Sequence, residues 1–325
     1  MADLYQYGRI KYNNIKNRIN HFRNCLTDRA DKLIILVYHH ILPKVKSNPL
    51  NTVVSLKTFI WQIEFLAKRY PVVSLSEAIS QCRSGFAKSK TQVVLTFDDG
   101  YIDNYELVYS VLKQKGLPAS FFIVAGCIDN AVPLWDCEVV KILWNNRTIR
   151  RVKIADIIVS QKIMQPRSFF IFSVIDKMKS LTDRERQEVL DVLKEKGMGK
   201  NIPEDSNDRC MTWKQIREMS GEAMEIGAHS LSHCSLAALP LNEAIQEIKK
   251  SKEAIESNIH KDCLHFAFPF GGYKDFNQEL IDYVKEAGFI SCLLNIRGYN
   301  HIEKDAFCFK RIIMEETTNL RHLAG

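Results

Sequence analysis

No apolar run in the 325-residue chain reaches the roughly 18 residues that a bilayer-spanning helix needs, which excludes a helical membrane protein. Residues 1–33 lack the apolar stretch of a secretory signal and are polar, with several tyrosines and asparagines. No CxxC pair occurs among the nine cysteines, an odd and scattered set that reads as small buried hydrophobes in a reducing compartment. These absences place the expected protein in the cytoplasm or at the inner face of the membrane. There is no internal repeat and no low-complexity tract, and nothing resembles a nucleic-acid-binding module, so nucleic acid is not an expected partner.

What is present is a chain with 46% hydrophobic residues and a net charge of +7, enough for one large core. Residues 1–32 alone carry seven Lys/Arg against three acidic residues. Interleaved with Tyr5, Tyr12, Ile19 and Phe22, they read as a basic helical extension. It either packs on the domain as a solvated helix or makes a peripheral contact with an anionic membrane surface. From Leu33 onward, short apolar runs alternate with helical patterns. Leu33–Tyr38, Val93–Phe97, Ala119–Ala125, Glu225–Ala228, Leu264–Phe268 and Phe289–Leu294 read as buried strands. Apolar residues at helical spacing fall between them, as at Phe59, Ile63 and Leu66, or at Leu241, Ile245 and Ile248. Such alternation predicts parallel strands with crossover helices, an α/β barrel or open sheet. Residues 135–209 break the rhythm and read as a charged helical insertion, with Leu181–Lys196 its clearest helix.

Residues able to do chemistry stand just after the strands, where α/β barrels build their active sites. His39 and His40 follow the first strand, Asp98 and Asp99 the second, His229 the fourth and Pro269 the fifth. Two adjacent carboxylates after a buried strand repel each other. A cation resolves the conflict, with one carboxylate binding it and the other free as a base; a plain Asp-Gly turn is the alternative. His229 and His233, at i and i+4, would lie on one face of a helical turn and reach a common metal. With Asp99 they make two histidines and a carboxylate, a set that leaves coordination positions open.

TFDDG at 96–100, HSLSH at 229–233 and FAFPFGGY at 266–273 together resemble the polysaccharide deacetylases, the NodB-homology group of carbohydrate esterase family 4. The Tyr38-His39-His40-Ile41 segment is similar to the branch of biofilm poly-N-acetylglucosamine and exopolysaccharide deacetylases. Met211-Thr212-Trp213 and Lys310-Arg311-Ile312 extend the match. The resemblance implies a roughly seven-stranded (β/α) barrel and one divalent metal ion, zinc first, with Co, Ni, Mn or Fe as alternatives. It further implies Asp98 as general base, Asp99, His229 and His233 as metal ligands, and an oxyanion contact from the backbone near Tyr101. The substrate would be an N-acetylated carbohydrate, with Pro269, Phe268, Phe270 and Tyr273 at the sugar groove.

Two departures from the common pattern stand out. The usual Leu-x-His acid has its match only in His322, at the far end of the chain, so by resemblance to the permuted branch His39 is the expected acid, kept protonated by a nearby carboxylate; His40 is the lesser candidate. The arginine that ordinarily tethers the base is missing from the Phe266–Tyr273 segment, and Arg311 is the candidate substitute. An O-acetyl esterase, a deformylase acting on a lipid-linked sugar, and an iron(II) oxygenase built on the two-histidine-one-carboxylate set remain as competing readings.

Overall fold

The computed structural model describes residues 32–45, 49–84, 91–130, 133–197, 208–301, 306–318 and 320. The basic extension, apart from Lys32, and His322 lie outside them. Seven parallel strands form the barrel: β1 (Lys32–Tyr38), β2 (Gln92–Asp99), β3 (Ala119–Ile123), β4 (Met224–Ala228), β5 (His265–Ala267), β6 (Ser291–Arg297) and β7 (Cys308–Ile313). Each pairs with the next, and β7 closes on β1 through Leu36↔Ile312 and Val37↔Ile313. Closure explains the composition of the strands: β1 and β2 are buried at every residue, one face toward the lumen and the other under helices. A large apolar side chain buried this way contributes ~1.5–3 kcal/mol.

The sequence reading finds six of these strands and misses β7. Lys310 and Arg311 interrupt Cys308–Ile313, the first exposed and the second buried, so no continuous apolar run marks it. The helix expected after β2 begins as a π turn at Asn104–Tyr109 and continues as Ser110–Lys115. Gly116 ends it in the left-handed region at φ 63°. No helix among the described residues is long and apolar enough to cross a membrane.

The insertion is not purely helical. Helices Trp135–Asn145, Arg167–Met178 and Asp183–Gly197 are joined by an antiparallel hairpin, Arg151–Ile154 with Ile157–Ser160. Its two-residue turn places Ala155 at φ 49°, the left-handed conformation such tight hairpin turns use. Four-residue strands are too short for their alternation to compete with the helical pattern around them. Val139, Leu143, Phe170, Val174, Met178 and Leu190 give the insertion its own apolar cluster, against which Phe270 of the barrel rim packs.

Candidate active site

The C-terminal ends of β2 and β4 supply the centre. Asp99, His229 and His233 are all buried, and their ligating atoms lie within 4.8 Å of one another. Asp99 Oδ1 is 3.5 Å from His229 Nε2 and 3.3 Å from His233 Nε2. Ligands placed tetrahedrally around an ion at ~2.0–2.1 Å are separated by about 3.4 Å, which these distances match. Asp99 Oδ1 also has no hydrogen-bond partner despite being buried, a costly state for a carboxylate oxygen unless a cation satisfies it. The residues fit a single divalent ion.

The neighbours of the histidines select the nitrogen that faces this point. His229 Nδ1 donates to Ala267 O at 2.8 Å, which leaves Nε2 free as a ligand. His233 Nδ1 faces Asp136 Oδ2 at 3.5 Å. Burial would depress the His233 pKa, but Asp136 and Asp99 override it and lift it to about 9. Asp99 is held well below the usual carboxylate range, because His233, His229 and His39 outweigh its burial. His229 and His233 do not sit on a helical turn as their spacing predicts. Ser230 and His233 adopt φ 61° and 54°, and the irregular loop is fixed through Ser232, which donates to Glu247 and accepts from Arg186. Trp135 Nε1 closes it by donating to His233 O at 2.9 Å. Asp99 (φ 78°) and Phe270 (φ 59°) are left-handed as well. Non-glycine residues in this region cost on the order of 1–3 kcal/mol each, and they collect at functional sites.

Asp98 points elsewhere. Its two oxygens accept from Arg311 Nη1 and Nη2, both at 2.7 Å, and neither residue has any exposed side-chain surface. Arg311 Nη2 also donates to Asn295 Oδ1 at 2.8 Å. Asn295 is in turn tied to the Pro269–Gly271 loop by its backbone N–H on Gly271 O. A Cβ at Gly271 would meet Asn295 N at 2.6 Å, so only glycine permits this approach. The cation absent from the loop therefore arrives from β7. Burial would raise the Asp98 pKa, yet Arg311 and His229 bring it below the ordinary value. Asp98 is thus an ionised carboxylate beside the triad, 3.9 Å from His229 Nε2.

His39 and His40 separate clearly. His40 Nδ1 bonds Asp103 Oδ1 at 2.9 Å, its ring stacks on Tyr101 at 3.6 Å, and the Asp103 charge raises its pKa against burial. It braces the loop and is not free for chemistry. The buried Nδ1 of His39 has no partner, and its backbone carbonyl is held by Asn104 Nδ2 at 2.9 Å. Burial lowers the His39 pKa despite the opposing charges of Asp99 and Asp98, contrary to the expectation that a carboxylate keeps it protonated.

Tyr101 follows Gly100, whose φ of 82° turns the chain at the end of β2. The bridge beside it uses Ile102 N–H to Arg209 O and Met211 N–H to Gly100 O, neither of which involves the Tyr101 N–H. Its hydroxyl contacts Cys137 Sγ at 3.1 Å. Phe270 lies 4.8 Å from the His233 ring and 6.1 Å from Trp135, above buried Pro269. One groove assignment changes: Phe268 is fully buried in the core against Phe266 and Phe276, while Tyr273 is 80% exposed. Asp136 is the functional residue that sequence reasoning left aside. Its only signal is a carboxylate in the first turn of the insertion's first helix.

Residues 87–159 and 169–291 match the polysaccharide deacetylase family model. YxkH of Bacillus subtilis (strain 168), which carries the name of a polysaccharide deacetylase, is 22% identical over 264 residues, or 81% of this chain and 64% of YxkH. The chain thus spans less than two thirds of that relative's length. Among solved structures, the Streptococcus pyogenes deacetylase PplD in complex with acetate superposes with a TM-score of 0.59 at 18% identity, over 91% of this chain and 97% of PplD. The de-N-acetylase from Aggregatibacter actinomycetemcomitans gives 0.57 at 19% identity, over 90% and 99%. IcaB from Ammonifex degensii gives 0.57 at 17%, over 88% and 93%. At these identities the structures establish the shared barrel, and the family match covers more than half of the sequence: the chain belongs to the polysaccharide deacetylase family.

Proposed function

We propose that the protein is a metal-dependent hydrolase that removes the N-acetyl group from an amino sugar in a glycan or glycan precursor. The observation that carries this reading is the division of labour at the rim. Three groups converge on a cation position, while Asp98, ionised and clamped by Arg311, stands beside them uncommitted to it. An iron oxygenase would use the triad but has no task for a buried, arginine-held carboxylate. The complex of PplD with acetate supports acetyl transfer to water as the chemistry of this barrel.

A divalent ion, zinc in this reading, would be held by Asp99, His229 and His233, and it supplies positive charge that polarises the acetyl carbonyl and acidifies the attacking water. Asp98 takes the water's proton, its pKa kept low enough by Arg311 that it is ionised at neutral pH. The Tyr101 N–H is the donor for the developing oxyanion. His39 protonates the departing amine. Because burial lowers its pKa, it is a stronger donor once protonated but is protonated less of the time. Phe270 and Trp135 offer an apolar wall for a sugar face.

Acetate release from N-acetylated and O-acetylated sugars, with metal content measured on the same preparation, tests the reading. Metal-dependent release from the amide supports it. Release from the O-acetyl ester alone replaces it with an esterase.

A further inference from the structure

The insertion carries an apolar surface that the candidate active site does not use. Ile163 and Met164, in the loop between the hairpin and the helix Arg167–Met178, are 93% and 79% exposed. Ile157 and Ile158, on the hairpin strand entering that loop, and Phe169 and Phe172, on the helix leaving it, are each about half exposed. Phe169 and Phe172 are three residues apart and share a helix face, while Phe170, Val174 and Met178 fill the core behind them. Six large apolar side chains within sixteen consecutive residues form a protrusion of a kind that soluble monomers rarely leave in water.

The charge around this protrusion is mostly positive. Residues 146–172 contain the exposed cations Arg147, Arg150, Arg151, Lys153 and Lys162 against a single acid, Asp156. Ion pairs of the insertion involve Lys141, Lys179, Arg184, Arg186 and Lys194; among the described residues Arg150, Arg151, Lys153 and Lys162 take part in none. Beside the hairpin, Arg150, Arg151 and Lys196 line a shallow cavity of about 450 Å³ together with Thr148 and Ile149 and no acidic group. An apolar tip flanked by cations that form no ion pair among the described residues, beside an open basic recess, has the chemistry of an interfacial membrane contact.

We propose that this face of the insertion docks on an anionic phospholipid bilayer, with Ile163 and Met164 entering the acyl boundary and the Arg150–Arg151–Lys196 recess taking a lipid phosphate. The contact leaves the active site open. Trp135, at one end of the helix Trp135–Asn145, bonds His233 O, whereas Arg167 binds Leu143 O and Asn146 O at the other end. The docking tip is therefore about one eleven-residue helix, ~16 Å, from the metal-binding rim.

Flotation of the full-length chain with phosphatidylglycerol-containing and pure phosphatidylcholine vesicles, at low and high salt, tests this. The wild type is expected to float with the anionic vesicles only, and less at high salt. I163D/M164D and R150E/R151E/K196E should each lower that partition at least ~10-fold with metal content unchanged. The proposal is overturned if the wild type ignores anionic vesicles. It is also overturned if both variants float like the wild type, which assigns binding to another surface such as residues 1–31. Loss of a dimer by I163D/M164D in sedimentation velocity, without vesicle binding by the wild type, makes the patch an interface between copies instead.

Discussion

Replacing Arg311 with methionine keeps most of the side-chain volume but removes the one guanidinium that reaches Asp98 among the described residues. In the wild type, two 2.7 Å bonds satisfy a carboxylate with no exposure, and a third donor of the same arginine holds Asn295. Deleting one member of such a buried pair strands the other charge and costs about 3–5 kcal/mol. The pH dependence follows from the direction of the Asp98 shift. With Arg311 present its pKa lies below the ordinary value, so the pair stabilises the fold fully above the unfolded pKa of ~3.9 and loses this contribution as pH falls through the lower folded value. Without Arg311, burial is opposed only by His229 and His39, and the Asp98 pKa should rise. The stability deficit of Arg311→Met should then be largest near pH 7 and shrink as the pH drops toward 4. Protonation of Asp98 also removes the proposed base, so the rate should fall about 10²–10⁴-fold, with the acid limb of the kcat/KM profile moved to higher pH. Metal content should be retained, because Arg311 touches none of the three ligands. Denaturant melts at pH 7 and pH 5, metal analysis and a pH–rate profile read each part. A variant as stable as wild type at pH 7 with an unmoved acid limb would show that Arg311 does not set the state of Asp98.

The same geometry makes three further predictions. His233→Ala and His229→Ala should each lose most of the bound metal, whereas Asp98→Asn keeps it and loses about 10²–10⁴-fold in rate; full metal content in His233→Ala refutes the ligand assignment. Asp136→Asn should weaken metal affinity ~10–100-fold by freeing His233 Nδ1. In metal-free protein the His233 ion pairs stabilise the fold below an unfolded pKa of ~6.5 and fade as pH rises through about 9, so Asp136→Asn should flatten that alkaline decline in thermal melts, and an unchanged decline argues against the pair. His39→Ala should bind metal normally and deacetylate amides slowly while sparing an activated ester whose leaving group needs no proton. His40→Ala should chiefly lower stability by leaving Asp103 Oδ1 without its His40 partner, and an amide-specific loss confined to His322→Ala would move the acid to the chain's end.

Local chemistry was legible in the sequence wherever it followed a buried strand. The runs before His39, Asp98, His229 and Pro269 are apolar because closed-barrel strands are covered on both faces, and a barrel brings the ends of such strands to one rim. Strand ends nominated Asp99 and His229, and the i, i+4 spacing added His233, as one centre. The backbone between the histidines was not legible: an i, i+4 spacing reads as a helical turn, but Ser230 and His233 take left-handed conformations that no periodicity reports. Strand β7 was hidden because Lys310 and Arg311 break its apolar run. Arg311, 213 positions from Asp98, could be named from the sequence as a substitute tether, but only barrel closure carries it under the base and onto both of its oxygens. Asp136 was equally silent, one acid among many in a charged insertion until the fold sets it 3.5 Å from His233. Residue types and strand ends, set by local hydrophobic pattern, determined which groups do the chemistry. Tertiary contacts between distant segments decided the charge state and orientation in which those groups are held, because electrostatic pairing depends on distance in space and leaves no period in the chain.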